Sequence, residues 1–418
     1  MPSKNIKMIN IKKIKTDKFK INEIAMFITL PLKKETMSMN AILPNVLPRG
    51  TNKYKTQLEI SKKLENMYGA AFNSGLDKTG NYAVLKFYID SISNKYVLNN
   101  ENVAQESMDL LLDIVCNPLT EKDAFKKEYV EQEKENLIKK IESKKDDKAY
   151  YAYERCIEEM FKNDPYGIYK YGEIEDVKAI DSKKLYEYYL EVLKTGKIDI
   201  YISGNDANEI NVNIGEYKVL KENNDAEIEK EINQEKSNES EKIAEEKVIK
   251  EKSDVTQGKL IIGLNANCNN KYAMSMLNAI LGGGANSKLF QNVREKASLA
   301  YYSSSRYLRR KDAIIIRTGI KLENYDKAVK IIKEQINEIK KGNITDFEFN
   351  SAKQLLLSSL KELKESQEDQ ITFDFDQNLF NENLTLDEYY NKIENVTMND
   401  VIEASKTIAT NTIYYLEK

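Results

Sequence analysis

The sequence predicts an α+β protein of two duplicated domains, each a mostly antiparallel sheet packed by helices. Three observations predict it. Both halves run through one order of elements: helix, break, helix, hairpin, several helices, a capped helix and a final strand. A short echo, MSMNAIL at Met37–Leu43 and MSMLNAIL at Met274–Leu281, falls at matching points of that order. Residues 216–257 change character, being almost all Glu, Lys, Asn and Ser with no aromatic after Tyr217. Such a stretch cannot bury a core, so it reads as a flexible linker or a solvated helix. The expected division is 1–215, a charged linker over 216–257, and 258–418.

The first half opens with paired strands over residues 6–32. Ile24, Met26, Ile28 and Leu30 share one face by period two, up to Pro31. An apolar helical run, Met37 to Leu43, is expected to break at Pro44 and Pro48. Thr56 and Glu59 form a capping box, opening a helix with Ile60, Leu64, Met67 and Tyr68 on its apolar face. Phe72–Leu76 and Tyr82–Ile89 read as a hairpin around Asp77-Lys78-Thr79-Gly80. Helices follow over Val103–Cys116, stopped by Asn117-Pro118, then to about Lys145, then over Asp147–Phe161. Asp164-Pro165-Tyr166-Gly167 is a turn. Ser182 caps a helix to Leu193, and IDIYIS within Lys197–Ser203 closes the half as an apolar strand.

The second half begins with a strand over Lys259–Cys268 and an apolar helix over Lys271–Leu281. Another helix starts at Ser287. Tyr301–Leu308 and Ala313–Ile320 form a hairpin around Arg309-Arg310-Lys311-Asp312. Asn324–Lys341 is a long helix. Thr345 and Glu348 form a second capping box, with helix to about Ser366. Thr397 caps a last helix, and Thr412–Leu416 is the final strand.

Composition narrows the chemistry. The 418 residues carry 64 Lys+Arg against 67 Asp+Glu, a net charge of −3, so there is no basic field for nucleic acid. The three cysteines, Cys116, Cys156 and Cys268, lie far apart in segments that read as helix, helix and strand. That sparse, odd set argues against a disulfide framework and for a reducing compartment. No apolar run approaches the ~20 residues of a membrane span. The expectation is a cytoplasmic protein with no membrane and no nucleic-acid partner. Richness in Lys, Asn and Ile suggests a low-GC bacterial source. There is no histidine, which excludes Ser–His and Cys–His nucleophilic sites and any zinc site that needs imidazole. No cofactor is expected.

The segment LGGGANSKLFQNVREKASLAYY, from Leu281 to Tyr302, holds the densest pattern. Gly282, Gly283 and Gly284 break the chain after an apolar helix. A short helix, Ser287–Lys296, carries Arg294 on its last turn, and a strand opens with Tyr301. The spacing can aim a guanidinium fork and a phenol O–H at one spot, where they would hold a peptide carbonyl or the oxyanion it becomes. On the residues alone, the more ordinary reading is that Arg294 caps a helix C-terminus and Tyr301 packs a sheet. The glycines do not fit a phosphate loop: Lys288 is not followed by Ser or Thr, and the turn follows a helix rather than a strand. They read as allowing two backbones, or a substrate, to approach closely.

This segment resembles the C-terminal half of the M16 (insulinase, mitochondrial processing peptidase) family, with its Gly-rich turn, S-x-L-F, and V-R-E-x-x-x-L-A-Y. The resemblance implies that Arg294 and Tyr301 bind substrate at the scissile bond. It implies two homologous M16/LuxS-like domains arranged as a clamp. The family's active members carry H-x-x-E-H, two zinc ligands and a general base, followed by a K-G-T-like tripeptide. Arg49-Gly50-Thr51 matches the tripeptide. Counting back, the histidine positions fall on Ala41 and Asn45 and the base on Pro44. The family's third ligand, a helical Glu, falls on Lys140 within VEQEKENLIKKI. None of these residues can do the original work.

The resemblance therefore implies a non-catalytic chain. In two-subunit members one chain brings the metal and a silent chain brings the Arg/Tyr pair, closing on a peptide that adds to a sheet edge. Among bacterial members this chain looks most like the silent half of paired sets associated with elongation factor P aminopentanol modification. The expected partner is an M16 zinc peptidase bearing H-x-x-E-H, as a heterodimer, with a peptide as substrate. The alternative is a peptide- or protein-binding scaffold with no role in proteolysis. An enzyme of another, metal-free chemistry would have only scattered carboxylates and lysines to work with.

Overall fold

Each half of the chain builds one five-stranded sheet, and the two sheets share a strand order. The computed structural model describes residues 9–217, 220 and 246–418. The first sheet holds β1 (Asn10–Lys15), β2 (Ile21–Pro31), β3 (Ala71–Thr79), β4 (Tyr82–Ile92) and β5 (Lys197–Gly204), in the order β1-β5-β2-β4-β3. The second holds β6 (Lys247–Lys252), β7 (Gly258–Ala266), β8 (Ala300–Leu308), β9 (Ala313–Ile320) and β10 (Ile408–Glu417), in the order β6-β10-β7-β9-β8. Only β1 with β5 and β6 with β10 run parallel. The other neighbours are antiparallel. Strand for strand the two topologies coincide, as a duplicated unit requires.

Both sheets are buried on both faces, which explains why β2 reads as an unbroken apolar run. In the first sheet Ile24, Met26 and Ile28 share a core with Ile42, Leu111 and Leu193 of the helices Lys34–Val46, Val103–Cys116 and Ser182–Thr195. On the opposite face Ala25, Phe27 and Tyr201 meet Ile371, Phe375 and Leu379 of the helix Gln367–Leu379. Phe27 stacks on Phe375 with ring centroids 4.1 Å apart. In the second sheet Leu260, Ile262 and Leu264 share a core with Leu277, Ile332 and Val401, on the helices Lys271–Gly282, Tyr325–Lys340 and Met398–Lys406. Its other face lays Ile261, Ile315 and Tyr414 against Ala152, Cys156 and Ile157 of the helix Lys148–Met160.

Those two outer helices are exchanged. Ser143–Gly167, from the first half of the sequence, belongs to the compact unit of the second sheet. Ser366–Glu382, from the second half, belongs to the unit of the first. Dividing the chain at 215 and 258 does not capture this, because an apolar stripe marks a helix without saying which sheet it will cover.

Several elements differ from expectation for local reasons. β1 and β2 form but do not pair, because β5 lies between them. β5, apolar on both faces, takes a central place, whereas the lysine-rich β1 suits an edge. The helix Lys34–Val46 runs through Pro44 rather than breaking there, and tightens at Leu47–Arg49. Burial of Leu43, Val46 and Leu47 outweighs the one lost helical bond. Tyr68 lies past its helix, exposed, with φ +60. The hairpin turn between β3 and β4 narrows to Gly80-Asn81. Asp181 rather than Ser182 caps its helix, accepting from the Lys183 and Lys184 N–H groups. Cys268 falls beyond the end of β7. Most of the expected linker, 218–219 and 221–245, lies outside the described residues. Its end is structured: Lys247–Lys252 is β6, held by pairing with β10, and Val255 is buried. The Glu251 carboxylate accepts from the Tyr151 hydroxyl at 2.6 Å, the Tyr414 hydroxyl at 2.7 Å and Arg155 Nε at 3.3 Å; burial raises its pKa, but these bonds and the Arg155 charge together hold it below the usual range. Among the described residues no helix is long and apolar enough to cross a membrane.

Candidate functional site

The candidate site is the corner between the glycine turn and β8. The helix Lys271–Gly282 ends at Gly282, where a Cβ would stand 2.5 Å from the Ser305 backbone nitrogen. A side chain there would push helix and strand apart, so the close approach expected of the glycines is realised at this position. Gly282→Val is expected to destabilise this unit by about 1–3 kcal/mol, which thermal denaturation would register as a lowered Tm. Beyond Gly284 a cavity of about 540 Å³ opens against the helix Asp346–Leu363, lined by Asn286, Ser287, Ser351 and Leu355.

The next helix is wound more widely than an α-helix. Over Phe290–Lys296 its bonds span five residues, and the Ala297 N–H closes it on the Asn292 carbonyl at 3.3 Å. Such turns are rare and recur at functional sites. Leu299 then donates to the Val293 carbonyl at 3.1 Å, and Ser298 sits at φ +50, reversing the chain into β8. Arg294 projects from this widened helix with its side chain 42% exposed. Its guanidinium lies 4.5 Å over the Phe290 ring, and Nε is 3.6 Å from a Glu295 carboxylate oxygen. Tyr301 falls at an irregularity of the ladder: Ala300 pairs with Ile320 and Tyr302 with Gly319, leaving Tyr301 as the extra residue. A bulge of this kind re-aims a side chain. Tyr301 is 52% exposed and its hydroxyl has no hydrogen-bond partner among the described residues. Arg294, on the widened helix, and Tyr301, at the start of β8, thus flank the same chain reversal and are both open to solvent, with no hydrogen bond between them among the described residues. The widening and the bulge had no signature in the sequence.

The positions matched to a metal site sit on two helices that pack together, Lys34–Val46 and Lys127–Glu142. Ala41 and Pro44 are buried and offer no ligand atom. Asn45 is exposed, and its Nδ2 donates to the Ala41 carbonyl at 3.0 Å. Lys140 lies 4.5 Å over the Tyr171 ring. Among the described residues no three His, Cys, Asp or Glu side chains converge as metal ligands. This donor set does not fit zinc. Sequence reasoning missed the ion pair that links the same elements: Arg49 Nη1 donates to Glu133 at 2.9 Å, with the guanidinium 5.0 Å over the Tyr129 ring. The Arg49 side chain of the matched tripeptide brings a fixed cation to the helix that carries Lys140. Thr51 orders the following turn, its hydroxyl accepting from Tyr54 N–H at 2.9 Å.

Comparison with known proteins gives one consistent answer. Residues 179–356 match the sequence profile described as the peptidase M16 inactive domain. The chain is 34% identical over 409 residues to the "probable inactive metalloprotease YmfF" of Bacillus subtilis, covering 97% of this chain and 94% of that one. An uncharacterized zinc protease of Streptomyces coelicolor is 22% identical over 391 residues, covering 90% of this chain and 79% of that protein. Among solved structures, a conserved protein from Enterococcus faecalis superposes with a TM-score of 0.84 at 24% identity, over 97% of this chain and 96% of that one. A peptidase M16 inactive domain from Pseudomonas fluorescens superposes with a TM-score of 0.74 at 16% identity, over 97% and 94%.

Proposed function

The chain belongs to the peptidase M16 family as one of its inactive members, and from that premise we propose that it is a silent subunit which binds a peptide and presents Arg294 and Tyr301 to a zinc-bearing partner. The partner would be a second M16 chain bearing H-x-x-E-H, and the pair would work in the reducing cytoplasm, in keeping with three free thiols.

The observation that carries this reading is the geometry of Tyr301. A bulge lifts it out of the β8 ladder, its hydroxyl has no partner among the described residues, and Arg294 stands on the same corner. A residue kept only for packing would be covered. A guanidinium and a phenol held open beside a strand end suit a carbonyl oxygen that gains charge during attack. The sheet edges add support. β1 carries Lys12, Lys13 and Lys15, and β6 carries Lys247, Lys250 and Lys252, a usual guard against strand addition. The opposite outer strand of the second sheet, β8, reads AYYSSSRYL and has no lysine. An extended peptide can add to such an edge through main-chain bonds.

The test begins with affinity purification of the chain from its own cells. The expected result is a stoichiometric partner of similar length that carries H-x-x-E-H. In the reconstituted pair, Arg294→Ala with Tyr301→Phe should lower peptide cleavage by about 10²–10³. Unchanged cleavage would remove the role given to this pair. A chain that purifies alone would favour the scaffold reading.

A further inference from the structure

The register of the second sheet assembles a cationic surface that no short motif displays. On the face that carries the helix Lys148–Met160, Lys259 of β7, Gly319 of β9 and Tyr302 of β8 lie in one row. The next row holds Ile261, Arg317 and Ser304, and the next Gly263, Ile315 and Arg306. Side chains two residues apart share a face, so Lys259, Arg317 and Arg306 run diagonally across three adjacent strands. The helix Lys148–Met160 packs over β7 and β10, and Leu308 of β8 joins its apolar cluster. Arg306 and Arg317 are exposed.

These cations are poorly neutralised. Arg306 and Arg317 have no ion pair or hydrogen bond among the described residues, and the Arg317 guanidinium lies 5.8 Å over the Tyr153 ring. Lys259 Nζ lies 5.8 Å over the Tyr302 ring and, among the described residues, hydrogen-bonds only Gln257 Oε1, at 3.4 Å. Burial draws its pKa down, partly opposed by Asp147. The Asp147 carboxylate is already engaged, accepting from the Ala149 and Tyr150 N–H groups. Glu154 is buried, and Asp164 pairs with Lys311 at 2.5 Å. The Tyr302 hydroxyl is itself buried without a hydrogen-bond partner among the described residues, its ring lying against Gly319, where a Cβ would come within 2.4 Å. Tyr302 follows Tyr301 directly. The surface therefore begins where the proposed carbonyl-binding corner ends.

We propose that this diagonal is a carboxylate subsite: Arg317 and Arg306 bind an acidic group on the same peptide that Arg294 and Tyr301 hold, giving the subunit a preference for acidic peptides. Planar guanidinium forks suit carboxylates, and charge-assisted bonds of this kind are among the stronger polar contacts. The carboxylate is either an Asp or Glu side chain or the peptide's own C-terminus. This proposal rests on the peptide-binding reading, and the experiment separates the two.

The probes are fluorescent Gly/Ser/Ala decapeptides carrying a central Asp-Glu or Asn-Gln pair, each with a free or an amidated C-terminus. Binding to the full chain is followed by anisotropy at low salt. The acidic pair, or the free terminus, is expected to tighten binding about tenfold or more, and which of the two matters identifies the source. Arg306→Gln with Arg317→Gln should erase that difference while leaving the neutral amidated peptide bound as before. Arg306→Lys with Arg317→Lys should retain much of it. Equal binding of all four peptides would overturn the carboxylate subsite and leave peptide binding standing. Failure of all four to bind would overturn both.

Discussion

Phe375→Ala should loosen the first sheet, although residue 375 lies in the second half of the sequence. Phe375 is 3% exposed and stacks on Phe27 of β2 with an interplanar angle of 18°. It also meets the Tyr201 ring edge-on, with centroids 6.4 Å apart. Removing a buried phenyl ring typically costs 3–5 kcal/mol, from lost transfer energy and the cavity left behind. We expect that cost to fall on β2, β4 and β5, read as lost amide-exchange protection in those strands, with β7, β9 and β10 little changed. Ile157→Ala on the other exchanged helix should give the mirror result, loosening the second sheet by roughly 2–5 kcal/mol. Loss of protection in the wrong sheet in either variant would show that the exchange does not describe the protein in solution.

Glu23→Gln should make the first sheet more stable in mild alkali. Glu23 is 8% exposed on β2, directly opposite Asp90 of β4. Burial pushes its carboxyl up to about 8, and the charges of Asp90 and of Glu368, on the exchanged helix, push the same way. The folded form therefore binds a proton that the unfolded chain, with an ordinary value of 4.5, has already released. Its contribution is fully favourable below about pH 4.5, declines as pH rises from there to about 8, and is flat beyond. Glutamine keeps the shape and cannot ionise. At about 1.4 kcal/mol per unit, the variant should exceed the parent by roughly 3–5 kcal/mol at pH 9 and match it near pH 4. Parallel stability curves for the two proteins from pH 5 to 9 would mean that the carboxyl is not held protonated.

Local chemistry was legible in the sequence wherever one segment contained its own answer. The Thr345 and Thr397 caps, the Asn117-Pro118 stop and the hairpin at Arg309–Asp312 all depend on residues a few positions apart. The Arg294 and Tyr301 positions were legible as a pattern, while the widened helix and the bulge that expose them depend on backbone choices no residue type demands. What stayed hidden is long-range. β5 takes an interior place between β1 and β2, while the lysine-rich β1 is left at the edge. Ile371, Phe375 and Leu379 form an ordinary apolar stripe with no address on it. Lys259, Arg306 and Arg317 stand up to 58 positions apart in sequence and become neighbours only through the register of three strands.

The exchanged helices also set a timetable for synthesis. The last strand of the first sheet, β5, leaves the ribosome with Gly204, yet the helix that covers its second face ends only at Leu379. At ordinary elongation speeds of about 5–20 residues per second, the roughly 175 residues between them take on the order of 10–35 s. For that interval Phe27, Val84 and Tyr201 form a bare aromatic and aliphatic face on a nascent chain. The second sheet faces no such wait, because its covering helix, Lys148–Met160, is made before any of its strands. The two duplicated units, alike in topology, therefore differ in when they can be completed. The amino-terminal one is the stage of biogenesis at which a chaperone, or a truncated message, would matter most.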